Sequence, residues 1–208
     1  MRVGVFGGAF NPPHAGHLVC AQEAHSALGL DLVVFVPVGE PPHRLLEADP
    51  GAEARLAMCD HALSADERFR LSRVEVEREG KSYTVDTLRS FAQRAPEDAL
   101  VLILGADQAC ALPAWHEPAA VAELVAAIGV ADRGDTRRDE VAARMGEVPG
   151  AAGKLEFFDM PRMDISSSLV RRRAAQRQPI RYLVPDKVAS YIGAQTLYGA
   201  SAPVGGAR

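Results

Sequence analysis

The chain has 208 residues, 48% of them hydrophobic and 24% charged, with a formal net charge of −4 at pH 7. That is a globular composition, long enough to bury a substantial core and without net attraction to nucleic acid or an anionic membrane. No apolar run approaches the ~20 residues of a membrane span, and the segment before the glycine pair at 7–8 is too short for a signal peptide.

Val3, Gly4, Val5 and Phe6 form a short apolar run suited to a buried parallel strand. Gly7-Gly8 follows at once, and two residues without Cβ let the chain turn and let a ligand approach the backbone. Leu18, Val19, Ala21, Ala24, Ala27 and Leu28 then recur at helical spacing. Strand, glycine turn and helix together offer backbone N–H groups and a positive helix end to an anion, usually a phosphate. Pro12-Pro13 stiffens the approach. His14 and His17, three apart at the helix opening, are expected on one face, where imidazole donors can bind phosphate oxygens. A histidine pair also suits zinc, but no third or fourth ligand lies nearby, and no metal-binding residue is assigned.

A second strand is predicted over residues 32–36. Residues 37–50 carry four prolines, including Pro41-Pro42-His43-Arg44, and a loop of this length in a compact domain is commonly functional. A helix is predicted over 52–64, with Ala54, Met58, His61 and Ala62 available to one face. Residues 69–76 read as extended, with Leu71, Val74 and Val76 inward, and 85–94 as a helix with Thr84 as N-cap and Asp86 in its first turn. Residues 99–104 are a buried strand running into Gly105-Ala106-Asp107, where the aspartate alone would suit a helix cap. Helical segments with Leu112 and Trp115 follow, broken at Pro118; strands are expected at 124–130 and 155–158, with a peripheral helix at 139–145. Ser166-Ser167-Ser168 opens a basic helix at 169–176, and a last helix spans 185–192. Residues 199–208 are rich in glycine and alanine and are expected to be disordered. Cys20, Cys59 and Cys110, odd in number and scattered, read as reduced core thiols of a cytoplasmic protein.

Strands alternating with helices specify an α/β fold, a doubly wound, mostly parallel, Rossmann-like sheet with right-handed crossovers. One domain is expected over residues 1–198, its C-terminal part from about 160 being a small helical subregion. Ligands of such folds sit at the carboxyl ends of the strands. The motifs at 7–17, 41–44, 105–107 and 166–171 all fall just after strands, which places them in one site.

Those motifs resemble a known family. G-G-A-F-N-P-P-H-A-G-H, residues 7–17, is similar to the H-x-G-H signature of the HIGH-motif nucleotidyltransferase superfamily. I-S-S-S-L-V-R, residues 165–171, resembles the I-S-S-T-x-I-R motif that closes its triphosphate site, with Ser168 for threonine and Val170 for isoleucine. On its own the serine–arginine run reads as a capped, solvated basic helix; the spacing favours an anion site. Three further segments look like bacterial nicotinate-nucleotide adenylyltransferases: Pro41-Pro42-His43-Arg44 like P-P-H-K, residues 82–88 like S-Y-T-x-D-T-L, and Gly105-Ala106-Asp107 with Trp115 like G-x-D followed by tryptophan. Arg44 departs from the usual lysine, putting a planar fork where the family has a compact ammonium.

The resemblance runs over residues 2–192 and implies transfer of AMP from ATP to nicotinate mononucleotide, giving nicotinate adenine dinucleotide and pyrophosphate. It implies ATP contacts from Gly7, Gly8, Ala9, Phe10, Gly105, Asp107, Ser166, Ser167 and Arg171, and catalytic roles for His14, His17 and Arg171. It implies nicotinate mononucleotide contacts from His43, Arg44, Tyr83, Thr84 and Trp115. Mg2+ would enter with ATP, held largely by substrate and water. The expected partners are these small molecules, with neither nucleic acid nor membrane, and homo-oligomerisation is left open. Two alternatives remain at this point: a sister transferase using pantetheine phosphate or a cytidine nucleotide, and a nucleotide-binding module without activity.

Overall fold

The computed structural model describes residues 1–42, 46–132 and 137–200. In chain order the elements are β1 (Arg2–Gly8), α1 (Ala15–Ala27), β2 (Leu32–Pro37), α2 (Ala52–Leu63), β3 (Phe69–Leu71), α3 (Thr84–Arg94), β4 (Ala99–Gly105), α4 (Ala106–Ala111), α5 (Pro118–Leu124), β5 (Ala127–Asp132), α6 (Arg138–Met145), β6 (Leu155–Asp159), α7 (Ser167–Ala175) and α8 (Asp186–Ala194). The six strands form one sheet in the order β3-β2-β1-β4-β5-β6, and every pairing is parallel. This is the α/β doubly wound architecture expected, and it places the switch in strand order between β1 and β4, where the carboxyl ends open a crevice. No helix among the described residues is long and apolar enough to cross a membrane.

Both faces of the sheet are buried, so its strands are apolar almost throughout. Val3, Val5, Val34, Leu102 and Val130 point to the face covered by α3 to α6. Phe6, Val33, Phe35, Val101 and Ile103 point to the face covered by α1. A third cluster joins Met58 of α2 to Val170 of α7 and Val188 and Ile192 of α8. The C-terminal helices thus pack on α2 at one side of the sheet and return to the loop after β1. There the Ala15 N–H donates to the Leu183 carbonyl, 2.9 Å.

Four local expectations are corrected. The segment 69–76 is a strand only through Leu71; the Val76 and Glu77 N–H groups both donate to the Arg73 carbonyl, so the chain turns. Alternating valines imitate a strand here, yet Val74 and Glu75 are both buried while Val76 is only half-buried. Thr84 is not the N-cap of α3 but its first residue; Tyr83 caps it with extended backbone. Pro118 does not merely break structure but starts α5, the position at which a missing N–H costs nothing. The Lys154 ammonium ends that helix by donating to the Ala122 and Val125 carbonyls, both at 2.7 Å, which delays the strand predicted from 124 to Ala127.

The inner face of α2 also differs. Arg55, Leu56, Met58, Cys59 and Leu63 are buried, whereas Ala54, His61 and Ala62 are only partly so. The reason is Arg55, fully buried among backbone carbonyls, which rotates the helix away from the face that apolar spacing alone selects. Of the cysteines, Cys20 and Cys59 are buried and Cys110 is half-exposed.

Candidate active site

The loop after β1 is built by close packing. Phe10 has φ +45°, in the left-handed region, and its ring is fully buried. That ring meets Phe6, Phe35 and His17 at centroid distances of 5.6, 5.4 and 5.0 Å. A Cβ on Gly8 would stand 3.0 Å from it, so glycine is required there by close approach. Gly7 is exposed, with open space where its Cβ would be.

His14 caps α1 with extended backbone, and its ring stacks on His17 at 3.7 Å with 27° between planes. The His17 Nδ1 accepts from the His14 N–H at 3.1 Å. Holding Nδ1 as an acceptor puts the proton of the neutral ring on Nε2. A donor is therefore preset on the half-buried ring beside the loop.

The C-terminal segment closes over the same loop. The Ser167 hydroxyl donates to the Pro12 carbonyl at 2.8 Å, and the Ser166 hydroxyl accepts from the Leu169 N–H at 3.1 Å, capping α7. Arg171 donates to the Asn11 carbonyl at 3.0 Å, to the Ser168 hydroxyl at 3.2 Å, and pairs with Glu47 at 3.0 Å. Its side chain is 14% exposed and that of Glu47 is 86% exposed. The carboxylate therefore sits at the outer, solvent side of a largely enclosed guanidinium. Arg173 instead donates to the Pro179 carbonyl, 2.8 Å, at the surface.

On the other side of the Gly7–Gly8 turn lies a cleft of about 380 Å3. Gly7, Gly8, Ala9, Gly105, Tyr83, Thr84 and Trp115, all singled out from sequence, line it. His14, His17, Asp107, Ser166, Ser167 and Arg171 do not; His14, His17, Ser166, Ser167 and Arg171 form the second cluster just described, and Asp107 is exposed in the first turn of α4. Phe10 supplies only backbone, because its side chain is core. His43 and Arg44 lie outside the described residues.

Several residues of the cleft were not read from sequence. Glu75 is buried in its wall, where its carboxylate accepts from the Thr87 hydroxyl at 2.7 Å. Burial pushes the Glu75 carboxyl above the usual range, against hydrogen bonds from Thr87, Ser82 and the Gly39 N–H and the charge of Arg78. Ser82 accepts from the Gly39 N–H at 3.1 Å, and a Cβ on Gly39 would strike the Glu75 carbonyl. Arg55 ties the two loops together: it donates to the carbonyls of Ala9, Val38 and Gly39 and pairs with Asp49 at 3.0 Å. Its sequence signal was a lone arginine on an otherwise apolar helix face. His116 packs on the Tyr83 ring at 4.3 Å. Among the described residues no group of three or more His, Cys, Asp or Glu side chains could hold a metal ion.

The cytidylyltransferase-like family model matches residues 5–173. A protein of Bacillus pumilus (strain SAFR-032) named "Probable nicotinate-nucleotide adenylyltransferase" is 37% identical over 197 residues, covering 95% of this chain and 98% of that one. A Geobacillus thermodenitrificans (strain NG80-2) protein of the same name is 40% identical over 203 residues, covering 98% and 88%. The chain belongs to the nicotinate-nucleotide adenylyltransferase family. The fold is shared with the nicotinic acid mononucleotide adenylyltransferase of Plasmodium falciparum complexed with NaAD, at TM-score 0.76, 18% identity and coverage of 95% of this chain and 97% of that one. A second structure of that enzyme, complexed with APC, superposes at TM-score 0.73.

Proposed function

We propose that the protein transfers AMP from ATP to nicotinate mononucleotide, releasing nicotinate adenine dinucleotide and pyrophosphate in NAD synthesis. One observation carries this reading: the Gly7–Ala9 backbone forms one wall of an aromatic-walled cleft, and the residues that continue the same loop, Asn11 and Pro12, are bonded by Arg171 and Ser167 beside the stacked His14–His17 pair. A phosphate placed against that wall lies between the two.

The acceptor's phosphate is itself the nucleophile and already anionic, so the protein needs neither a general base nor a covalent intermediate. An acceptor phosphate oxygen forms the new bond to the α-phosphorus as the bond to the bridging α,β-oxygen breaks, and that electron pair leaves with pyrophosphate. Catalysis is then positioning and charge stabilisation. The Nε2–H of His17 donates to the α-phosphoryl oxygens, and His14 supports it from the stacked ring. Arg171 receives the β,γ-phosphates as they become pyrophosphate. The Ser166 and Ser167 hydroxyls are already engaged in capping α7 and in bonding Pro12. The phosphates are therefore met by the N–H groups at the start of that nine-residue helix. Gly105, which also lines the cleft at the end of β4, and the exposed Asp107 in the first turn of α4 receive ATP. Mg2+ arrives as part of the MgATP substrate, bridging its phosphates.

In the cleft, Trp115 stacks on the pyridine ring and turns its carboxylate toward α3. The first N–H groups of that helix, from Thr84 and Val85, have no acceptor within it and lie at its positive end. The contacts expected from sequence for His43 and Arg44, which lie outside the described residues, belong to the same reading. The test is pyrophosphate release by purified protein with MgATP and a panel of acceptors. Nicotinate mononucleotide should be strongly preferred. A preference for pantetheine phosphate or for CTP chemistry would make it a sister transferase, and no turnover with any acceptor would leave a binding module.

A further inference from the structure

We infer that Tyr198, near the C-terminal end of the described chain, positions the phosphate-binding Arg171 by holding Asn11 in place. The inference rests on the ATP site proposed above and adds a residue that touches neither substrate.

Asn11 is 3% exposed and bonds three segments remote in sequence. Its side-chain amide donates to the Glu47 carbonyl at 2.9 Å. Its side-chain oxygen accepts from the Tyr198 hydroxyl at 2.7 Å. Its backbone carbonyl accepts from Arg171 at 3.0 Å. The direction of the amide is fixed by these two partners, since the Tyr198 hydroxyl meets the oxygen and a carbonyl meets the nitrogen. The neighbouring Pro12 carbonyl is bonded by Ser167, so the whole N-P-P corner is suspended between α7 and the C-terminus.

Tyr198 packs against the cluster of Met58, Val170, Val188 and Ile192 and aims its hydroxyl at Asn11. It sits in the short 3-10 turn Leu197–Gly199 with φ +58°, a left-handed conformation unfavourable for a bulky residue. Residues from 199 on were expected as tail, yet Gly199 closes this turn and the Ala200 N–H donates to the Leu197 carbonyl, 2.9 Å. The phenol also approaches the Met58 sulfur at 3.9 Å, anchoring it against α2. Burial pushes the Tyr198 phenol well up from its ordinary value, so it remains a donor throughout the working pH range.

Without the hydroxyl, a buried amide oxygen loses its donor, and the Asn11 side chain is held only by its bond to the Glu47 carbonyl. The Asn11 backbone, whose carbonyl orients Arg171, is then less firmly fixed. None of Asn11, Glu47, Arg171 and Tyr198 lines the mononucleotide cleft; among the described residues the network and the cleft meet through Leu46, which lines the cleft beside Glu47.

Tyr198→Phe keeps the ring and removes the donor. We expect KM for ATP to rise ~3–10-fold, the scale of one hydrogen bond, with KM for nicotinate mononucleotide within about twofold of wild type and melting temperature nearly unchanged. Asn11→Ala should reproduce the ATP effect, and the double variant should be no worse than the more affected single one. Equal rises in both KM values, or additive effects in the double variant, would mean mere structural support and overturn the inference; so would unchanged ATP kinetics. Should Tyr198→Phe fail to fold, the Asn11→Ala kinetics decide by the same criterion. Binding of a non-hydrolysable ATP analogue separates this from the site itself. If Arg171→Ala weakens the analogue and Tyr198→Phe does not, only this inference fails; if neither weakens it, the ATP site is misplaced.

Discussion

The two sides of the Gly7–Gly8 turn are made in different ways. The phosphate side is assembled from segments far apart in the chain: Asn11 meets Arg171 and Tyr198, Pro12 meets Ser167, and Ala15 meets Leu183. Its polar groups are aimed by bonds to one another before any substrate arrives. The cleft side is assembled from the bend between β3 and α3, the loop after β2, and the corner at Trp115 and His116. It has an aromatic wall, helix-end donors, and one buried carboxyl that serves its own walls. Pre-aimed donors suit stabilisation of a developing charge. An aromatic slot with a few directed N–H groups suits selection of a ring. Under the proposed function, rate belongs to one side and specificity to the other.

The largest expected effect tests the first half of that division. His17→Ala removes the donor whose tautomer is fixed by the His14 N–H, and loss of such a donor costs about 3–4 kcal/mol at the transition state. The expected result is a fall in kcat of ~10²–10³-fold, with circular dichroism and KM for nicotinate mononucleotide little changed. A fall below about tenfold would remove His17 from catalysis. Arg171→Ala should follow, harming ATP use far more than Arg173→Ala, because Arg173 is spent on the Pro179 carbonyl at the surface. Equal effects in steady-state kinetics would mean that only the positive charge of α7 matters.

Trp115→Ala breaks the other side. It should raise KM for nicotinate mononucleotide and lower kcat/KM while leaving KM for ATP nearly unaltered. In the proposed reading, the N–H groups of Thr84 and Val85 tell the acid from the amide. Nicotinamide would present a donor to donors, leaving buried groups unpaired. Sites of this kind discriminate by ~10⁴ or more, whereas shape alone gives ~10–200-fold. Thr84→Ala should cost less than Trp115→Ala, since the donors are backbone. Comparable kcat/KM for the two mononucleotides in the wild-type protein would break the assignment of specificity to this cleft.

What sequence could and could not show follows the same line. The sheet was legible because its strands are short apolar runs and its turns carry glycine; residues at 7–8 and 105 announced the carboxyl edge without any structure. Periodicity misled where tertiary bonds decided local shape. Val74 and Val76 alternate like a strand, but the Glu75 carbonyl must lie against Gly39, and the chain bends to bring it there. Threonine caps helices readily, yet Tyr83 takes the cap, and Thr87 rather than Thr84 bonds to Glu75. Asn11 and Tyr198 were not legible as site residues, and Arg55 showed only as a lone arginine on an apolar helix face. Apart from the Arg55–Asp49 pair, their partners lie 16 to 187 residues away, and no local pattern encodes such a pairing.

The smallest effect expected is a gain. Arg171 is not idle in the structure: Glu47 pairs with it from the solvent side, at the position an incoming phosphate would approach. ATP binding must displace that carboxylate. Such a pair, with one partner almost fully exposed, contributes about 0–1 kcal/mol, so its removal should lower KM for ATP by no more than ~5-fold. Glu47→Ala deletes the carboxylate but keeps the backbone carbonyl that Asn11 holds, so the loop stays fastened. The gain should shrink with added salt, which already screens an exposed carboxylate, while KM for nicotinate mononucleotide stays constant. A higher KM for ATP in Glu47→Ala would mean that Glu47 helps to aim Arg171 rather than competing with the substrate. The phosphate side would then be completed by the loop after β2, and the two sides would be less separate than their contacts indicate.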